Sequence, residues 1–317
     1  MSIAPYIKEI GRGGDGARAL SVEQAHDLMR QVLAGEASDL EVGAFALAMR
    51  MKGETLDELC GFLAAAHARC PVVPADEPVV LLPSYNGARR LPNLTPLLAL
   101  RLAQEGVRVL VHGLTSEPGR VTSAEIFHDL GLPPARDAHE VAQAWARHEP
   151  AYLPIELLCP PLARLLKVRR VVGVRNSGHT IAKMLNPCTG ARALRVVNHT
   201  HPEFGELMAA FARREGADMA LLRGTEGEPV ADPRRQPRLE IVLGGQPRPE
   251  LSLAAQEGVL ATLPVLPTDR AAATTAVYIQ SVLSGATPAP GPIEQQVQAL
   301  SRAVRALGAA EPVGLRA

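Results

Sequence analysis

The chain has 317 residues, 47% hydrophobic and 21% charged, which excludes a disordered protein and gives enough length for two domains. Lys and Arg total 33, as do Asp and Glu, so polyanion binding through bulk charge is excluded. Aromatic residues make up 3%, too few for a base-stacking platform. No run approaches the ~20 apolar residues of a membrane helix. The opening MSIAPYIKEIGRGGDG lacks the apolar core of a secretion signal, so a cytoplasmic protein without membrane association is expected. Cys60, Cys70, Cys159 and Cys188 show no C-x-x-C spacing, which fits a reducing compartment and argues against structural zinc.

In chain order, the glycine-rich stretch 11–16 follows a short helical segment rather than a strand, so it is read as a hinge and not a phosphate loop. Ser21-Val-Glu-Gln24 is a capping-box pattern, followed at helical spacing by Ala25, Leu28, Met29, Val32 and Leu33. Ser38-x-x-Glu41 opens a second helix, predicted to turn Leu40, Ala44, Phe45, Leu47, Ala48 and Met51 inward. Thr55-x-x-Glu58 opens a third, carrying Leu56, Leu59, Phe62 and Leu63. Pro71-Val-Val-Pro74 ends this helical unit. Beyond it, all-apolar runs at 79–82 and 107–111 read as buried parallel strands around a helix at 95–104. Further strands are predicted at 195–197, 219–222 and, peripherally, 239–243, with helices at 202–214, 268–283 and 292–307. The expected architecture is a helical domain (1–75) and a larger α/β domain (76–317) with a mostly parallel central sheet.

Gly43-Ala-Phe-Ala-Leu-Ala-Met-Arg50-Met-Lys52-Gly53-Glu54-Thr55-x-x-Glu58-Leu59-x-Gly61 resembles the helical domain of the anthranilate phosphoribosyltransferase family, whose fold is shared with pyrimidine nucleoside phosphorylases. The resemblance implies an interdomain cleft and a homodimer formed through the helices. In that family the first strand ends in a Gly-Thr-Gly-Gly-Asp loop that cradles phosphoribosyl pyrophosphate; here the stretch is Pro83-Ser84-Tyr85-Asn86-Gly87. Proline has no N–H, and the tyrosine is expected to fill the diphosphate space. Asn93-Leu94-Thr95-Pro96 keeps the family's downstream spacing, whereas Val111-His112-Gly113-Leu114 replaces its Lys-His-Gly-Asn and Gly119-Arg120-Val121-Thr122-Ser123 matches its serine-rich phosphate loop only in part. Anthranilate phosphoribosyltransferase activity is therefore expected to be absent, and no catalytic residue is assigned. Ser84, Tyr85, Asn86, Gly87, Asn93, Thr95, His112, Gly113, Asn176 and His179 mark a degenerate substrate cleft. Arg169 falls where the family's arginine meets the aromatic substrate's carboxylate. Glu226 and Glu228 lie near the family's magnesium-holding Asp-Glu pair, so no cofactor is required and Mg²⁺ is expected only for a transferase. The segments 83–90, 175–187 and 223–228 resemble one branch, the YbiB-like proteins, associated with nucleic-acid binding.

The charge distribution points the same way. From 157 to 202 there is no Asp or Glu, while Arg164, Lys167, Arg169, Arg170, Arg175 and Lys183 fall there. The stretch 78–104 is also acid-free and carries Arg89 and Arg90. With the two stretches expected around the cleft of the resembled fold, these eight residues are the predicted backbone-phosphate contacts for DNA, RNA or both. Any one of them also has an ordinary reading as a solvated helix or loop charge. The alternative is a pentosyl or phosphoribosyl transferase of unidentified acceptor using the same basic cleft; a purely structural role is the third reading.

Overall fold

The computed structural model describes residues 2–13 and 16–309. Gly14 and Asp15 of the expected hinge lie outside them. Four helices come first: α1 (Ala4–Ile10), α2 (Val22–Ala34), α3 (Asp39–Lys52) and α4 (Leu56–His67). The capping boxes of α2, α3 and α4 are all formed, each cap side chain accepting the N3 amide while the N3 Gln or Glu accepts the cap's own amide. There follow β1 (Val73–Pro74), β2 (Val79–Ser84), α5 (Thr95–Gln104), β3 (Arg108–Gly113), α6 (Ser123–Asp129), α7 (Ala138–Ala146) and β4 (Ala151–Pro154). Four short helices come next: α8 (Ile155–Leu158), α9 (Pro160–Lys167), α10 (Arg169–Val172) and α11 (Ser177–Met184). The chain continues through β5 (Cys188–Thr189), β6 (Ala193–Asn198), α12 (Pro202–Glu215), β7 (Met219–Leu222), β8 (Leu239–Leu243), β9 (Gln246–Pro247), α13 (Ala272–Leu283) and α14 (Gly291–Ala309).

Two compact units result, Met1–Pro71 with Ile155–Pro187, and Val72–Pro154 with Cys188–Ala317. The single cut at 75/76 read from the sequence is thus corrected. Helix α9 packs on α2, and α11 packs on α3 and α4, burying Leu162, Leu165, Leu166 and Ile181. Those apolar faces are too short to stand alone and are covered by the N-terminal helices. Helix α3 differs from its periodicity as well. Phe45, Ala46 and Met49 are buried, while Leu40, Leu47 and Met51 are 84, 50 and 82% exposed. The face of α3 that meets α1 and α11 is offset from the predicted stripe.

In the α/β unit a seven-stranded sheet runs β4-β3-β2-β6-β7-β8-β9. The first five strands are parallel, and β8 and β9 add antiparallel. Every residue of β2 and β6 is buried, as a parallel strand covered on both faces requires. One core joins Val80, Leu82, Val109 and Val196 of the strands to Leu98, Phe127, Ile279, Val297 and Leu300 of the helices. No helix among the described residues is long and apolar enough to cross a membrane.

Candidate functional site

From β2 the sheet grows through β3 to β4 on one side, and from β6 to β7 on the other. The chain therefore reverses its direction of growth between β2 and β6, and the loops at the carboxyl ends of those strands diverge there. In open α/β sheets this is where ligands bind. Ser84 ends β2, His112 lies near the end of β3, Asn198 ends β6 and Leu222 ends β7, so the predicted cleft residues of this unit gather at one edge.

The centre of that edge is held by Glu228, 1% exposed. Its Oε1 accepts the amides of Asn86 (2.8 Å) and Gly87 (2.7 Å). Its Oε2 accepts the hydroxyls of Ser84 (2.5 Å) and Thr95 (3.3 Å). Because a carboxylate only accepts here, Ser84 spends its proton on Glu228 and receives one from Ser123 at 2.8 Å. Ser123 in turn accepts from Asn93 Nδ2 at 3.0 Å. Glu226 extends the pattern: its carboxylate accepts the amides of Arg89 (2.5 Å) and Arg90 (3.0 Å), and its carbonyl accepts Asn86 Nδ2 at 3.0 Å.

The two segments can meet so closely because of glycine. A Cβ on Gly227, whose φ is +85°, would stand 1.5 Å from Asn86 Nδ2 of the facing loop, while Gly224 serves the segment's own turn, where a Cβ would stand 1.9 Å from the Glu228 carbonyl oxygen. Glu226 itself has φ +51°, a left-handed conformation costing an L-residue about 1–2 kcal/mol; its hydrogen bonds to the Arg89 and Arg90 amides hold it there.

This geometry corrects two expectations. Tyr85 does not fill the anion space: it is buried, with its hydroxyl 2.6 Å from His112 Nδ1. Burial pulls the His112 imidazole down to about 3, and its Nε2 has no hydrogen-bond partner among the described residues. What occupies the loop donors is Glu228. Nor do Glu226 and Glu228 offer a cation site, since their oxygens face N–H and O–H donors, whose positive ends a cation would meet first. Among the described residues no three His, Cys, Asp or Glu side chains are grouped to hold a metal.

Gly113 pairs with Ser84 in the β2–β3 ladder. Arg89 and Arg90 are exposed on the same loop. The other six predicted phosphate contacts all belong to the helical unit. Arg164, Lys167 and Arg170 are exposed there, and Arg169, Arg175 and Lys183 half-buried. Asn176 and His179 are structural in this unit. Asn176 caps α11, accepting from Gly178 N (3.0 Å) and donating to Leu165 O (2.8 Å). Burial, aided by the charges of Arg175, Arg169 and Lys183, pulls His179 down to about 3. Sequence reasoning missed Asn198. The signal available was a polar residue closing a buried strand, as Ser84 does.

The fold and this crevice define the class: a glycosyl transferase scaffold of the anthranilate phosphoribosyltransferase type. Residues 4–70 match the glycosyl transferase family helical bundle domain. Anthranilate phosphoribosyltransferase of Thermus thermophilus superposes with a TM-score of 0.67 at 22% identity, covering 95% of this chain and 88% of that one. The Saccharomyces cerevisiae enzyme in complex with PRPP and Mg gives 0.69 at 13% identity, covering 96% and 92%. In sequence the chain is 29% identical over 234 residues to the Pyrobaculum calidifontis enzyme, covering 71% of this chain and 69% of that protein. It is 37% identical over 300 residues to the uncharacterized protein YbiB of Escherichia coli K12, covering 94% of this chain and 92% of that protein. The chain belongs to the YbiB-like branch of the anthranilate phosphoribosyltransferase family. A phosphoribosyl pyrophosphate with Mg²⁺ does not fit its loop as arranged here, because the donors already hold carboxylates.

Proposed function

We propose that the protein binds nucleic acid without sequence specificity, holding backbone phosphates with the arginines and lysines of its 157–187 segment and of the β2–α5 loop. The observation that carries this reading is the acid-free run beginning at 157, which the fold turns into the short helices α9–α11. Glu156 reaches Lys167 only at 3.9 Å. Around the His179 imidazole, which burial depresses first of all, the charges of Arg175, Arg169 and Lys183 act in the same direction, so these three cations of the run lie near one another. Arginine dominates the set, which suits bidentate phosphate contacts. Neutralising about six phosphates gives an affinity falling with salt at a log–log slope of roughly −5.

The test is titration of the protein into a labelled oligonucleotide at two salt concentrations, with phosphoribosyl pyrophosphate as competitor. Steep salt dependence that ignores the competitor is expected. Unchanged binding in Arg169→Glu/Arg170→Glu would count heavily against the reading. Binding abolished by the competitor would favour the second reading, a pentosyl or phosphoribosyl transferase, which the likeness to anthranilate phosphoribosyltransferases supports.

The exposed face of α3 carries a second part of the proposal, a homodimer. Leu40, Ala44, Leu47 and Met51 recur at four-, three- and four-residue spacing, the seam one helix offers another. Leu47→Glu/Met51→Glu is expected to convert the dimer to a monomer in light scattering at micromolar concentration, with the far-ultraviolet spectrum unchanged. A parent protein that is already monomeric under those conditions would remove the dimer from the proposal.

A further inference from the structure

Four main-chain amides, those of Asn86, Gly87, Arg89 and Arg90, and two hydroxyls, Ser84 and Thr95, converge on two carboxylates at 2.5–3.3 Å. Successive backbone N–H groups turned one way form an anion-binding concavity, and loops at the switch point of a parallel sheet are where such concavities receive phosphates. Here the anion arrives from more than 130 residues away in the same chain. The segment that brings it is built for close approach: Gly227 leaves no room for a Cβ against Asn86, Gly224 leaves none against the segment's own Glu228 carbonyl, and Glu226 is held in a left-handed conformation. Polar atoms behind it lack partners. Asn198 is 1% exposed and neither its Oδ1 nor its Nδ2 is hydrogen-bonded, and Asn86 Oδ1 is likewise without a partner among the described residues. The Asn198 side chain lies against Gly224 and Gly227.

We propose that the loop from Ser84 to Arg90 is a phosphate-type anion site whose resident anion is the chain's own Glu228 and Glu226, so that inorganic phosphate or pyrophosphate enters only when these carboxylates are removed or withdrawn. The chain thereby keeps the oxyanion-binding backbone of its scaffold while closing it with a covalently attached competitor. A carboxylate delivered by the same chain acts at a high effective concentration, which a free phosphate at millimolar levels does not match. Removing the side chain leaves the amides and hydroxyls buried and unpaired, and a tetrahedral oxyanion supplies the acceptors they need.

The test is thermal unfolding of the parent protein, Glu228→Ala and Glu226→Ala/Glu228→Ala, with inorganic phosphate or pyrophosphate titrated against sodium chloride at matched ionic strength. Glu228→Ala is expected to lower the Tm by roughly 5–10 °C without oxyanion. Phosphate at about ten times its dissociation constant is expected to return roughly 3–6 °C, saturably, while the parent shifts by less than about 1 °C. A parent protein that gains the same phosphate shift would overturn the proposal, because the site would then already be open. So would an alanine variant indifferent to phosphate. Should Glu228→Ala fail to fold, Glu228→Ser, whose shorter side chain also vacates the loop amides, carries the test by hydrogen exchange. The Asn86 and Gly87 amides are expected to gain phosphate-dependent protection in the variant and to show none in the parent; the reverse result overturns the proposal. No nucleic acid enters these measurements, so the outcome is separable from that of the nucleic-acid reading.

Discussion

Reversing Arg164, Lys167 and Arg170 to glutamate is expected to weaken oligonucleotide binding by roughly 10²–10³-fold at 0.1 M salt and to flatten the salt slope by about 3. The three residues are exposed on α9 and α10, in a stretch where no Asp or Glu follows Glu156 until Glu203. Every phosphate that is no longer neutralised takes about 0.9 off the slope, so at 0.1 M each is worth nearly tenfold in affinity. The effect must come from position, because the whole chain has no net charge. Arg136→Glu makes the matching control. It changes total charge by the same amount per residue but sits on the α/β unit, paired with Glu140 on α7. That variant is expected to shift affinity by less than about twofold, because Arg136 belongs to neither acid-free stretch and is already paired with a carboxylate. Equal effects in both variants would reduce the interaction to bulk charge and remove the assigned surface.

Glu58→Ala is expected to destabilise the helical unit by about 3–5 kcal/mol. The carboxylate is fully buried and serves four donors. Oε1 accepts Leu20 N at 3.0 Å, and Oε2 accepts Lys52 Nζ at 2.6 Å, Thr55 N at 2.8 Å and Thr55 Oγ1 at 3.1 Å. One side chain thus caps α4, ties down the chain entering α2 and neutralises a lysine whose side chain is only 9% exposed. Alanine would leave the Lys52 ammonium with Gly53 O, at 2.9 Å, and the amides with no acceptor from this side chain. Glu58→Gln, which keeps an acceptor but not the charge, is expected to fall between alanine and the parent. Urea denaturation followed by far-ultraviolet circular dichroism measures both, with parent and variants compared at one protein concentration. An alanine variant within about 1 kcal/mol of the parent would show that the buried carboxylate does not organise the unit.

Several features of the protein are decided within a few neighbouring residues and are legible from the chain alone. The caps at Ser21, Ser38 and Thr55 are each set by a hydroxyl and a Gln or Glu three positions on. The strands at Val79–Ser84 and Met219–Leu222 are short apolar runs that only a covered parallel sheet accommodates. The basic stretch is a matter of composition. Helices α8–α11, of four to eight residues each, are harder to read, because so few turns carry little periodicity and their partners lie in the N-terminal helices.

The anion site is legible only in its parts. The loop 83–90 and the pair Glu226 and Glu228 can each be singled out, but their meeting cannot, and the pair reads naturally as a metal site until its donors are known. Ser84 and Glu228 are 144 residues apart. They meet because β2, β6 and β7 lie side by side as parallel strands of one sheet. Local sequence determines which elements form and which faces carry charge or apolar surface. Which carboxylate faces which amide, and which face of α3 is covered, depends on packing among elements far apart in the chain, since the burial that selects those partners exists only once the whole sheet and bundle are assembled.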